Sequence, residues 1–210
     1  MAELQVQAFS RVTQAELQPE GRGIAAPLTA TFGPRFGRLD RSCQLGLIAV
    51  ERLGEAWRGT APERVGLCVA TRVGSLPTDL EFWRGREGAG GPSPMLFAYT
   101  LPSAVLGEIA IRHRLTGPNL CVVGKDTAVL SEAADWLRRG EAEGVICLSV
   151  EAVTPAAAAL LGREQAGEAC ALYVVRGGAS PDATKRSALA VLGKNDRDMT
   201  SLCARLAAPK

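Results

Sequence analysis

Residues 117–127 read Gly-Pro-Asn-Leu-Cys-Val-Val-Gly-Lys-Asp-Thr, and this segment decides the fold of the chain. The first three residues predict a turn, and the apolar run Leu120, Cys121, Val122 and Val123 predicts a strand. Helical patterns of apolar residues precede the turn and follow the strand. The order helix, strand, helix is typical of layered α/β proteins, and the unbroken apolar run predicts a strand that is buried on both faces.

Further strands and helices extend this pattern in both directions along the chain. A helix is predicted over 41–57, capped by Asp40 or Ser42, and another over 127–139, ended by Gly140. The alternation indicates one α/β domain over 1–194 with a largely parallel sheet, followed by a C-terminal tail over 195–210. Strands are predicted at 4–12, 64–73, 120–123, 145–150, 170–175 and 187–192, and the last two of them could pair as antiparallel neighbours.

The composition is that of an ordinary globular protein. The 210 residues are 47% hydrophobic and 22% charged, and the net charge is +2. This charge is too small to favour nucleic acid or an anionic membrane as a partner. No apolar run is long enough to cross a bilayer, and the opening residues do not resemble a signal peptide. These features predict a cytoplasmic protein.

The metal-ligating residue types are few or widely spaced. The chain has one histidine and six cysteines, none of them in a CxxC pair. This pattern argues against a zinc site and predicts structural, reduced thiols. We therefore expect no metal and no cofactor.

The junction Gly124-Lys125-Asp126-Thr127 superficially resembles a phosphate-binding loop, because it follows a strand and opens a helix. A Walker loop needs two glycines separated by four residues and a hydroxyl after the lysine. Six residues separate Gly117 from Gly124, and Asp126 stands in the hydroxyl position. This mismatch excludes a Walker loop, and the simpler interpretation is that Asp126 caps the following helix.

His113 is the one candidate imidazole for general base catalysis. It lies between two arginines near the end of a predicted helix, with no nucleophile beside it in the sequence. A histidine in that place can pair with the last carbonyl groups of its helix, so a structural role is the simpler interpretation.

Several segments together resemble the N-terminal half of the β-ketoacyl synthases, the condensing enzymes of fatty-acid and polyketide assembly. Their order and spacing carry the resemblance, which covers about 4–192. It implies a thiolase-like half-domain with a mixed, mostly parallel five-stranded sheet flanked by helices. The matching segments are 38–44, 64–75, 101–112, 115–119, 132–134, 137–142, 151–152 and 166–169.

Two departures from that family concern its catalytic groups. The resemblance places the family's nucleophilic cysteine at Asp126 or Thr127, and no cysteine lies between Val122 and Ile146. The chain has roughly half of the family's length, so the paired histidines of the second half have no counterpart. Covalent catalysis needs a nucleophile, a base and oxyanion donors together. The resemblance therefore implies a catalytically silent subunit.

The resemblance also implies partners. In the family, the strand matching Leu120, Cys121, Val122 and Val123 pairs across a subunit interface, which implies a homodimer or a heterodimer with a ketosynthase. Such a subunit would be similar to a chain length factor and could contact an acyl carrier protein. Leu101, Val105 and Leu106 are the candidate acyl-pocket residues. The alternatives are an acyl-thioester-binding enzyme or acyltransferase that uses Asp126, Thr127 or Cys121, and a scaffolding protein without an acyl ligand.

Overall fold

A single sheet forms the centre of the molecule. The computed structural model describes residues 4–17, 26–88, 90–162, 167–177, 190–191 and 199–207. The strands are β1 (Leu4–Thr13), β2 (Val65–Thr71), β3 (Asn119–Val123), β4 (Gly144–Glu151), β5 (Glu168–Arg176) and the two-residue β6 (Ala190–Val191). Their order is β3-β2-β4-β5-β1-β6.

The strand directions confirm the mixed, mostly parallel sheet. Strand β2 pairs parallel with both β3 and β4, whereas β5 pairs antiparallel with β4 and β1. Four of the five long strands therefore run in one direction, and β5 alone runs against them. The short β6 lies within the strand predicted at 187–192 and makes six strands, one more than the resemblance implies. It pairs antiparallel with β1, so β1 lies between the two strands that were predicted to be neighbours.

Eight helices connect the strands of the described chain. They are α1 (Ala26–Phe32), α2 (Arg41–Glu51), α3 (Leu76–Gly85), α4 (Pro94–Phe97), α5 (Ala104–His113), α6 (Thr127–Arg139), α7 (Pro155–Leu161) and α8 (Met199–Ala207). In these parts of the chain no helix is long and apolar enough to traverse a bilayer.

Helices α2 and α5 cover one face of the sheet, and helices α6 and α8 cover the other. Asp40 caps α2, because its carboxylate accepts the N–H of Cys43 at 2.9 Å. Gly46 allows α5 to approach α2, since a Cβ there would lie 2.4 Å from a methyl group of Val105. The two helical layers thus bury the alternating side chains of the central strands.

The position of β3 differs from the prediction. Every residue of β2 and β4 is buried, but β3 is the edge strand, and its five residues are exposed or half-buried. The prediction that 120–123 are buried on both faces is therefore wrong for this chain alone. An apolar run is typical of a buried strand, but composition does not specify which neighbour covers it.

The segment assigned to the C-terminal tail contains α8. Met199, Leu202 and Cys203 of this helix are buried against the sheet. The segment between the strand predicted at 4–12 and the helix predicted over 41–57 likewise contains α1 and a 3-10 turn at Pro34–Arg38, whose Phe36 enters the core. In both segments a few apolar side chains find tertiary partners, which a short amphipathic pattern does not reveal.

Candidate functional site

The carboxyl ends of the parallel strands β2, β3 and β4 lie side by side, and this end of the sheet is the candidate site. Thr71 at the end of β2 is paired with Val123 at the end of β3. The N–H of Gly124 donates to the carbonyl of Thr71 at 2.9 Å, which holds the β3–α6 junction against β2. Ligands of open α/β sheets bind outside the carboxyl ends of parallel strands, so a ligand or a reaction is expected at this end of the sheet.

Asp126 lies at the carboxyl end of the sheet, at the N-terminus of α6, but its side chain does not cap α6. Its carboxylate accepts the N–H of Met199, the first residue of α8, at 2.9 Å. The predicted capping of α6 is therefore wrong, and the carboxylate caps α8 instead. The side chain is buried, with 8% of the residue exposed. A carboxylate held in this way is a poor nucleophile, because burial covers the approach to it.

Glu151, at the end of β4, is a second buried carboxylate at the carboxyl end of the sheet. The sequence analysis did not identify it as a site residue. It accepts the backbone N–H groups of Arg72 and Val73 and lies within 3.4 Å of the hydroxyl of Thr71. The guanidinium of Arg72 also lies 3.6 Å from it. Glu151 therefore holds the loop between β2 and α3. The sequence signal was an acid that ends an otherwise apolar strand.

Strand β3 leaves one side of its backbone unpaired within the described chain. The carbonyl of Pro118 and the N–H of Gly124 both point towards β2. Successive residues of a strand direct their backbone groups to opposite sides, so Asn119, Cys121 and Val123 present theirs to the free edge. The side chain of Val123 is 60% exposed. A free, apolar edge of this kind is a template for pairing with another chain.

Comparison with known proteins gives the family of this chain. A family model described as "Beta-ketoacyl synthase, N-terminal domain" matches residues 19–169. The chain belongs to the β-ketoacyl synthase family. A comparison with curated proteins gave no match.

Solved structures of β-ketoacyl synthase type share this fold at low sequence identity. The ishigamide ketosynthase/chain length factor has a TM-score of 0.71 at 20% identity, with 98% of this chain and 72% of that chain covered. The complex AntDE:AntF, of a type II PKS acyl-carrier protein with its ketosynthase bound to the hexaketide, has a TM-score of 0.69 at 16% identity, covering 91% and 67%.

A third structure is the ketosynthase ApeO in complex with its chain length factor ApeC from Xenorhabdus doucetiae. Its TM-score is 0.64 at 15% identity, and 85% of this chain and 81% of that chain are covered. The match therefore covers about two thirds or more of each neighbour, whereas the resemblance implies about half. At these identities the likeness establishes the thiolase-like fold of this β-ketoacyl synthase family member and no more.

The groups that covalent catalysis requires are not brought together in the described part of this β-ketoacyl synthase family member. Asp126 and Thr127 lie at the carboxyl end of β3, whereas His113 precedes the amino end of that strand. Five residues of strand span about 16 Å, which keeps the imidazole away from the junction. Across the residues that the structure describes, no cluster of three His, Cys, Asp or Glu side chains could hold a metal ion.

The thiols offer no activated alternative nucleophile. Cys121 is half-buried on β3, and burial raises the pKa of its thiol. The other five cysteines are buried, and burial also raises the pKa values of Cys43, Cys68 and Cys147. A catalytic cysteine needs a lowered pKa, so these surroundings favour inert thiols.

The three candidate acyl-pocket residues are in different environments. Val105 is buried in the core, where its side chain faces Gly46 of α2. Leu106 packs partly against the same core, and Leu101 is 62% exposed ahead of α5. The structure therefore exposes Leu101 and places Val105 between two helices.

The side chain of His113 is buried in a polar cluster near the amino end of β3, away from the candidate site. Its ring stacks edge-on against Trp57 at 5.0 Å, and its Nε2 lies 3.7 Å from a carboxylate oxygen of Glu51. Arg58 and Arg112 also pair with Glu51, at 2.8 and 3.7 Å. Burial lowers the pKa of His113 to about 4, a net result in which Arg58 and Arg112 add to the effect of burial and Glu51 opposes it. The imidazole is neutral near pH 7.

This depressed pKa predicts an acid-sensitive fold. Between pH 6.5 and 4 the unfolded chain binds a proton on His113 and the folded chain does not, so stability falls as the pH is lowered. We expect about 2–3 kcal/mol of the free energy of unfolding to be lost across this window. The substitution His113→Gln should flatten the slope in urea titrations at several pH values. An unchanged difference between pH 7 and pH 4.5 would contradict this assignment.

Proposed function

We propose that this chain is a non-catalytic, chain-length-factor-like subunit of a fatty-acid or polyketide assembly system, which pairs with a ketosynthase through β3. The observation that carries the proposal is the free, apolar edge of β3. An edge strand of this type pairs with a second chain unless it is covered or charged. The structural neighbours support the proposal, because two of them are described by ketosynthase and chain length factor together.

Apolar side chains next to β3 extend the proposed interface. Leu101 and Ile111, at 62% and 70% exposed, lie before and on α5, which packs beside β3. Gly74, in the loop after β2, is adjacent to both Pro102 and Val123. In this proposal the exposed apolar groups extend the surface of the free strand, and burying such a surface drives association.

The proposal extends to the ligands of the pair. The silent subunit would contribute apolar side chains, Leu101 and Leu106 among them, to a space for the growing acyl chain. An acyl carrier protein would deliver that chain to the ketosynthase, and one structural neighbour is a complex of an acyl-carrier protein with its ketosynthase. No residue of this chain would form a covalent acyl intermediate.

The direct test measures the mass of the assembly in solution. We expect the purified chain to form a 1:1 complex with a ketosynthase encoded beside it, detected by light scattering after gel filtration. A homodimer of the chain alone would support the β3 interface but not the ketosynthase pairing. A strict monomer that binds neither itself, nor the ketosynthase, nor a carrier protein would overturn the proposal.

The substitution Val123→Asp should weaken this association by tenfold or more, since it places an unpaired charge in a desolvated interface. Sedimentation equilibrium gives the dissociation constant. Leu160→Asp on α7 is the matched control, because Leu160 is 66% exposed and α7 follows β4 and not β3 along the chain. Equal effects of the two substitutions would argue against an interface at β3.

A further inference from the structure

A buried hydrogen bond joins the β3–α6 junction to the C-terminal helix. The Oδ2 of Asp126 accepts the N–H of Met199 at 2.9 Å, and Met199 is completely buried. The donor lies 73 residues further along the chain. Helix α8 also lies beyond residues 19–169, the range that matches the family model. The bond therefore connects the family's nucleophile position with a segment outside the matched region.

The first amides of α6 do not occupy the carboxylate of Asp126. The N–H groups of Ala128 and Val129 donate to the carbonyls of Lys125 and Asp126, at 3.2 and 3.3 Å. Asp126 itself has helical dihedral angles, so its side chain projects away from the usual capping position. The carboxylate is therefore available for α8, whose own first N–H groups need acceptors.

Helix α8 depends on this contact and on an apolar face of three residues. Met199, Leu202 and Cys203 are buried in the cluster that α6 forms with the sheet. The thiol of Cys203 also lies 3.9 Å from the carbonyl of Ser10 in β1. A helix of nine residues is too short to be stable alone in water, so its tertiary contacts hold it.

We propose that Asp126 is a positioning residue that fastens α8 over β1 and β5. A carboxylate at the family's nucleophile position thus serves as a latch for the C-terminal helix. Its negative charge opposes the positive N-terminal end of α8 and satisfies a donor there. Opening the latch releases α8 and uncovers the apolar face of β1 and β5. This inference is independent of the proposed partner, and its test uses the chain alone.

Cys203 is a built-in reporter of the latch. The full chain is incubated with N-ethylmaleimide, and mass spectrometry of the peptides gives the labelling rate at each cysteine. We expect Asp126→Ala to raise the rate at Cys203 about tenfold or more, since a lost hydrogen bond to a carboxylate shifts local opening by that factor. Asp126→Asn keeps an acceptor oxygen and should raise it less.

Two internal comparisons separate local release from general unfolding. Cys43, buried on the α2 side of the sheet, should keep its rate, because it is remote from α8. Asp135→Ala is the matched control on α6, where Asp135 pairs with Arg138 at 3.0 Å on the surface. An unchanged rate at Cys203 in Asp126→Ala, or an equal rise at Cys43, would overturn the proposal.

The donor can be removed as well. Met199 is the first residue of α8, a position that tolerates proline, so Met199→Pro deletes the N–H and leaves the helix intact. Met199→Ala controls for the lost side chain. Asp126→Ala should add its full effect to Met199→Ala and none to Met199→Pro. The same added effect in both backgrounds would refute the latch. If Asp126→Ala does not fold, faster labelling of Met199→Pro than of Met199→Ala supports it, and equal rates overturn it.

Discussion

The substitution Gly117→Ala should lower the free energy of unfolding by about 3 kcal/mol, the upper range for overpacking. A Cβ at Gly117 would lie 2.3 Å from the carbonyl oxygen of Val65 and 3.1 Å from that of Glu63. Both atoms belong to the backbone, so no side chain can rotate out of the way. Relief requires moving the turn at 117–119 away from the start of β2, which breaks the 2.9 Å bond from the N–H of Leu67 to the carbonyl of Pro118.

Chemical denaturation by urea measures this loss, and the melting temperature should fall by about 6–12 °C for a chain of this length. Gly107→Ala is the matched control, because Gly107 lies inside α5 and a Cβ there meets no atom within 4 Å. That substitution should stabilise the protein by up to about 1 kcal/mol through helix propensity. If both variants shift stability in the same direction, close approach at Gly117 does not explain its glycine.

The substitution Glu151→Ala should lower the free energy of unfolding by about 3 kcal/mol, because it leaves the N–H groups of Arg72 and Val73 without acceptors. Glu151→Gln should have an intermediate effect, since an amide keeps one acceptor oxygen but directs a donor at one of these N–H groups. Loss of the loop after β2 would also disturb Gly74, which lies against Pro102 and Val123. Association through β3 should therefore weaken in the same variants.

Thermal and urea unfolding measure the stability, and hydrogen exchange at Arg72 and Val73 measures the loop. Glu143→Ala is the control at the other end of β4, where Glu143 pairs with Arg64 at 3.2 Å on the surface. An exposed pair of this kind contributes less than about 1 kcal/mol. Protection at Arg72 and Val73 that survives Glu151→Ala would show that Glu151 does not hold the loop.

The long periodic elements were predictable from the sequence, because their signals are local. Helix α6 begins at Thr127 and ends at Arg139, as the apolar spacing and Gly140 predict. Strand β4 spans Gly144–Glu151 and contains the strand predicted at 145–150. Weakly amphipathic segments were not predictable: α8 depends on three side chains that pack on the sheet, and their pattern is too short to distinguish from a polar tail.

The site was predictable as a position and not as a set of contacts. Counting from the turn at 117–119 places Asp126 at the start of α6, where the structure has it. The partner of its carboxylate is a backbone N–H 73 residues away, which no local pattern encodes. Glu151 was overlooked for the same reason, since its partners lie in the loop after a neighbouring strand.

The sequence by itself determined the order of the long helices and strands, the family and the absence of a cysteine at the β3–α6 junction. These properties depend on residue identity and on spacing along the chain. Only the tertiary structure decided that β3 lies at the sheet edge and that Asp126 fastens α8. Strand order and long-range hydrogen bonds depend on how distant segments share one core, and an apolar run or a single acid is compatible with several such arrangements.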